Sequence, residues 1–284
     1  MQGADEIREA QRKTWVELSA GWDKWESSIM EQLAPVGEAI IRSLDIKVNQ
    51  QHLDIASGTG EPGLSIAKLA SSGRVVLSDL VPEMLSIAKR RADLQGLTNI
   101  EVKVCSADDL PFDDSTFDSV SVRFGYMFFP DVVKATEEFV RVLKPGGRLC
   151  ASVWIKPEEN PWTMSVARAV ASEIELPPLK PGDPNMFRCA APEYVSDLYK
   201  RAGLTEVSEW EVPIVKVSDS LEEFWEMVSE HSSLAVSALK KVDESTRARI
   251  RERVIREVSV YEEDGKIRVP GLAKCILAIK SATN

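Results

Sequence analysis

The segment LDIASGTGEPG at 53–63 holds the residues with the clearest chemical potential. An acid, Asp54, closes an apolar run and is followed by Ala56, Ser57, Gly58, Gly60 and Gly63. Small residues at that spacing let the backbone turn tightly and approach a ligand, and a helix start just beyond offers free N–H groups. Gly58, Gly60 and Gly63 also satisfy the spacing of a dinucleotide turn, or of a tight turn that binds nothing. Two further acids follow. Asp79 lies 25 positions after Asp54 (79 minus 54), ends the run RVVLSD and can accept from both hydroxyls of a ribose. Asp108, between Ala107 and Asp109 in SADDLPF, can accept from the exocyclic amine of a base. Singly, each aspartate is equally a cap or turn residue. Three at the ends of successive strands describe one ligand-binding edge.

Charge separates the ligands that such an edge could take. A dinucleotide brings a pyrophosphate to the helix start, where Asp54 and Glu61 would repel it. S-adenosylmethionine brings an ammonium, a sulfonium and one carboxylate, and an acid at the strand end suits those cations. The ribose acceptor Asp79 serves both cofactors alike.

These residues need a scaffold, and the pattern supplies one. Strand-like QHLDIA (51–56), RVVLSDL (74–80), IEVKVCSA (100–107), FDSVSVRF (117–124) and GRLCASVWI (147–155) alternate with helical PGLSIAKLA (62–70), PEMLSIAKRRADLQ (82–95) and VVKATEEFVRVL (132–143). Near-continuous apolar strands separated by helices predict an α/β fold, a parallel sheet covered on both faces. Residues 5–44 read as helical with a break near Pro35, and 1–45 is expected to form an N-terminal helical lid. The core is expected over 46–284, with cap insertions near 156–190, where ELPPLKPGDP (175–184) interrupts the alternation, and near 218–268.

The run LDIASGTGEPG…SDLVPEML…SADDLPFDDSTFDSV…LKPGGRL resembles the class I S-adenosylmethionine-dependent methyltransferases, in pattern the ubiquinone/menaquinone-biosynthesis C-methyltransferase-like group, over roughly 45–155. The resemblance implies that Asp54, Ala56, Ser57, Gly58 and Gly60 line the methionine end of the cofactor and that Asp79 with Leu80 holds the ribose. It places Met84 beside the adenosine, and Ala107, Asp108 and Asp109 at the adenine. Ala56 departs from the group, which carries a glycine there. The implied fold is Rossmann-like with strand order 3-2-1-4-5-7-6 and an antiparallel seventh strand, read at 271–280 beside a sixth at 206–217. S-adenosylhomocysteine is the implied product.

Methyl transfer from a sulfonium needs mainly positioning, exclusion of water and sometimes a base. The acceptor is expected against RFGYMFFPD (123–131), where Arg123 and Tyr126 could touch cofactor or acceptor, or the segment could simply pack. His231 could act as a base from a cap helix or sit on the surface, and His52 is expected to be structural. Among Trp15, Trp22, Trp25, Trp154, Trp162, Phe187 and Trp225 most are expected to pack, and one or two could line an apolar or aromatic-accepting pocket.

A formal net charge of -10, from Lys+Arg 35 against Asp+Glu 45, disfavours nucleic acid and favours a small-molecule acceptor. No metal site is expected, because the four cysteines are far apart. With no apolar leader or membrane span, a cytoplasmic monomer or homodimer is expected. Two other functions stay open at this level: binding of S-adenosylmethionine without transfer, and an NAD(P)-dependent oxidoreductase.

Overall fold

The computed structural model describes residues 3–176, 178–180 and 182–282. Pro177 and Pro181 of the predicted cap, and residues 1, 2, 283 and 284 at the predicted domain limits, lie outside the described residues. The chain begins with two helices, α1 (Ala4–Lys24) and α2 (Glu26–Leu44). The predicted alternation follows: β1 (Gln51–Ile55), α3 (Gly63–Leu69), β2 (Arg74–Asp79), α4 (Pro82–Leu94), β3 (Ile100–Val104), β4 (Phe117–Arg123), α5 (Val132–Val142) and β5 (Leu143–Trp154). Beyond it come α6 (Pro161–Ala171), α7 (Tyr194–Arg201), β6 (Leu204–Ser218), α8 (Leu221–His231), α9 (Ser233–Leu239), α10 (Glu244–Val258), the two-residue β7 (Glu262–Glu263) and β8 (Lys266–Lys280).

The sheet order is β3-β2-β1-β4-β5-β8-β6, with β7 paired to β8. Discounting that short β7, this is the expected order. The pairs from β3 through β5 are parallel, and β8 runs antiparallel to both β5 and β6. Each crossover returns the chain to the same edge, so the C-terminal ends of β1, β2, β3 and β4 carry Asp54, Asp79, the segment to Asp108, and Arg123 side by side. Local signals set the boundaries. Pro82 opens α4, Gly96 at φ +68° follows its end, and the Asp131 carboxylate accepts from the N–H groups of Val133 and Lys134 at the start of α5.

Two features depart from the sequence reading. The N-terminal helical stretch breaks at Trp25, not at Pro35. Pro35 lies inside α2 on an exposed side, near exposed Glu31, whose carbonyl the proline leaves without an N–H and which water can serve. Trp25 is held at the break by its indole N–H, which donates to Glu230 on α8 (2.7 Å). The second departure is length. β6 and β8 outrun β5: Trp154, the last residue of β5, pairs with Ala273, whereas β6 continues along β8 until Ser218 meets Ile267. Because β8 is antiparallel to β5, residues 213–218 and 267–272 form a two-stranded ribbon that projects past the C-terminal edge of the sheet.

Candidate functional site

The turn after β1 is built from backbone that few residues tolerate. Ala56, Gly58 and Gly60 have φ of +52°, +53° and +112°. A Cβ on Gly58 would meet nothing within 4 Å, so its demand is conformational, and the space above it is open. Gly63 differs: a Cβ there would stand 2.2 Å from Leu77 Cδ2 and 2.9 Å from Asp54 Oδ2. It lets α3 lie against β2. Gly63→Ala is therefore expected to destabilise the fold by about 3 kcal/mol through overpacking, read as a lower urea midpoint.

Asp79 ties two turns together. Its Oδ2 accepts from the Gly58 N–H and its Oδ1 from the Val81 N–H, each at 2.9 Å. The Ser57 N–H donates to the Ser78 carbonyl (2.9 Å), and the Gly60 N–H to the Ser57 carbonyl (2.8 Å). Burial raises the Asp79 carboxyl, and the backbone N–H groups oppose that shift.

Asp54 lies fully buried beneath the turn. Its Oδ2 accepts from the Gly63 N–H (3.0 Å) and its Oδ1 from the Ser121 hydroxyl (2.5 Å). With Ser121 donating there, its oxygen accepts from His52 Nε2–H (2.9 Å), and His52 Nδ1 accepts from Ser119 (2.8 Å). The bond to an acid thus fixes a buried tautomer two residues back along β1. Burial pushes Asp54 up to about 7 and His52 down to about 3. His52 lies within β1 and is structural, as expected.

In the segment after β3, Asp108 is buried and Asp109 exposed. Arg8 of α1 donates from Nη2 to Asp108 Oδ2 (3.0 Å) and from Nε to Ser106 (3.1 Å). Sequence reasoning missed Arg8; nothing local to α1 marks a partner 100 positions away. Met84 and Ala107 are buried and Leu80 is partly exposed near this cleft.

Both weak catalytic candidates change character. Tyr126 is fully buried among Phe129, Phe139 and Tyr199, with its hydroxyl on Thr136, and burial raises it far above the usual phenol range. It is a packing residue, because the short turn at Tyr126–Phe128 directs its side chain inward. His231 is not on the surface: it is 7% exposed, and its Nδ1 donates to the Met227 carbonyl (2.5 Å). Burial, chiefly, pushes it down to about 3. Arg123 is lowered by burial, offset by Glu61 and Asp54, and its Nη2 lies 3.1 Å from Met30 Sδ. Of the tryptophans, Trp15 meets Phe128, Trp22 meets His231, and Trp154 stacks on Phe124 at 4.1 Å.

The residues at the edge fit S-adenosylmethionine. The hydroxyls of Ser57 and Thr59 in the glycine turn are buried without a partner, Gly58 opens onto free space, and acids flank both ends.

A sheet of this order with a glycine turn after its first strand defines the Rossmann-like nucleoside-binding class. Residues 18–170, more than half of the chain, match the ubiE/COQ5 methyltransferase family, and the protein belongs to that family. It is 43% identical over 113 residues to a demethylmenaquinone methyltransferase of Thermus thermophilus, covering 38% of this chain and 50% of that protein. The chain spans about half the length of the curated relatives it matches first. Among solved structures, the YcgJ protein of Bacillus subtilis superposes with a TM-score of 0.56 at 19% identity, over 86% of this chain and 97% of that one. The (4+2)-cyclase SpnF superposes at 0.55 and 19% identity, over 87% and 80%. These two likenesses concern the fold alone. Among the described residues, no helix is long and apolar enough to cross a membrane.

Proposed function

We propose that this protein transfers a methyl group from S-adenosylmethionine to a small organic acceptor. The observation that carries the reading is the glycine turn tied to Asp79, inside a match to a methyltransferase family. On this reading Ala56, Ser57, Gly58 and Gly60 hold the methionine end and Asp79 and Leu80 the ribose. Met84, Ala107, Asp108 and Asp109 hold the adenosine end, and Arg123 sits at the join between cofactor and acceptor. When bound, the cofactor supplies a methyl group on a cationic sulfur, already activated for in-line displacement.

The chain's own residues position and shield. Asp79 holds the turn in the shape that receives the ligand, and each of its oxygens keeps a lone pair for a ribose hydroxyl. Asp54 supports the turn from below and, when ionised, offers a negative field to a cationic ligand. The helix α1 closes over the adenine end through Arg8, and its Trp15 and Trp22 reach toward Phe128 and His231. Water is thereby kept from the edge where charge is neutralised. The reading includes a cytoplasmic protein, monomeric or homodimeric, that acts on no nucleic acid.

Calorimetric titration with S-adenosylhomocysteine, NAD and NADP tests this. Binding of the first alone is expected. Binding of a dinucleotide alone would replace the reading by an oxidoreductase. Cofactor binding with no transfer to any acceptor would leave a binding protein.

A further inference from the structure

The projecting β6–β8 ribbon carries a buried cation with no counter-charge. Over the second half of β6 the buried positions are Val212, Ile214, Lys216 and Ser218, so a lysine occupies an inward position. Lys216 is 2% exposed. Among the described residues its ammonium takes part in no hydrogen bond or ion pair; it lies 4.2 Å from the ring centroid of Trp162 on α6. Burial alone pushes it down to about 8, and a facing carboxylate would have opposed that shift.

Other buried polar groups, linked to it along β6 and through His231, lack partners among the described residues. The Ser218 hydroxyl, Gln32 Oε1 on α2 and Trp22 Nε1 on α1 are buried and unpaired. Gln32 donates instead to the Val217 carbonyl (3.0 Å), which seats it beside Ser218. His231, with Nδ1 committed to Met227, lies within the electrostatic reach of Lys216 and 6.1 Å from the Trp22 ring. Orphaned groups of this kind, drawn from a strand and two helices, are costly unless something completes them. The cluster also joins the proposed cofactor edge. Phe124, next to Arg123 at the end of β4, stacks on Trp154, and Trp154 meets Trp162 edge-on at 5.2 Å.

We propose that this cluster is the acceptor subsite and that Lys216 anchors there a small organic molecule carrying an anionic oxygen, a carboxylate or an ionised hydroxyl, on a planar apolar body. The proposal rests on the methyltransferase reading for the word acceptor, but the anion site stands on its own geometry. An unpaired buried ammonium is stabilised by an anion and gains little from a neutral ligand. The aromatic side chains Phe124, Trp154 and Trp162, stacked and edge-on in turn, give the cluster an apolar flank that suits an apolar body.

The test uses tryptophan fluorescence of the full chain with S-adenosylhomocysteine present, titrated with benzoate, 4-nitrophenolate and neutral benzamide. At least one anion is expected to bind tenfold or more tightly than benzamide, and which one distinguishes carboxylate from ionised hydroxyl. Lys216→Met should abolish that preference, leave S-adenosylhomocysteine affinity unchanged by calorimetry, and raise the melting temperature. Equal binding of all three probes, a preference that survives in Lys216→Met, or a lowered melting temperature would overturn the proposal. Loss of S-adenosylhomocysteine binding in the unaltered protein would instead remove the methyltransferase reading, with the anion preference then judged separately.

Discussion

Replacing Asp79 by alanine is expected to weaken S-adenosylhomocysteine binding at least about 100-fold, about 3 kcal/mol. Two losses combine. The ribose loses an acceptor pair, and the Gly58 and Val81 N–H groups lose the carboxylate that holds the two turns in register. Asp79→Asn separates shape from charge: it keeps the volume but presents amide hydrogens to a backbone donor. A fall as large in Asp79→Asn as in Asp79→Ala would show that acceptor capacity decides affinity. An unchanged calorimetric affinity in both would take Asp79 out of the site.

Acid is expected to unfold the protein through its two buried histidines. His52 and His231 are each held near 3, against about 6.5 in the unfolded chain. Their contribution to stability is fully present above 6.5 and is lost as the pH falls toward 3, because the unfolded chain takes up protons that the fold refuses. Complete loss is worth about 5 kcal/mol for each, a large share of a typical domain's stability. Asp54 acts in the opposite direction. Its folded value near 7 lies above the unfolded carboxylate, so its contribution is present below about 4 and lost as the pH rises through 7. On acidification Asp54 returns about 4 kcal/mol, which the two histidines outweigh. Urea midpoints should therefore fall steeply from pH 6 to pH 4, and His231→Gln should flatten the slope by about one proton taken up on unfolding. A midpoint that rises over that range, as Asp54 alone would make it, would mean that both histidines titrate normally in the fold.

The alternation of strands and helices was legible because a parallel sheet buries both faces and writes itself as apolar runs. The edge that gathers Asp54, Asp79 and Asp108 was legible for the same reason. What these acids touch was not: Gly58 reaches Asp79 and Arg8 reaches Asp108 through the fold, across 21 and 100 positions that no local pattern records. Tyr126 stayed open between contact and packing because a polar tip near a strand end suits either, and only the turn's direction sends it into the core. The break at Trp25 has no glycine or proline to announce it and depends on Glu230 on a distant helix. Lys216 did leave a signal. In VPIVKVS it occupies the position in the two-residue period where Val212 and Ile214 point inward, and a charge in that phase marks either an error of register or a site.

The projecting ribbon has a consequence for how such a protein can change. Residues 213–218 and 267–272 lie outside 18–170, the stretch that matches the family, and the glycine turn and its acids lie inside it. The ribbon with the proposed anchor Lys216 and the turn proposed for the methyl donor are therefore written in separate parts of the chain, while Phe124, Trp154 and Trp162 between them lie inside the matched stretch. On the proposed reading, substitutions at the ribbon's inward positions would retune acceptor selectivity while leaving the glycine turn intact. For laboratory evolution this makes 214, 216 and 218 a compact library, mutable while the rest of the protein is left alone.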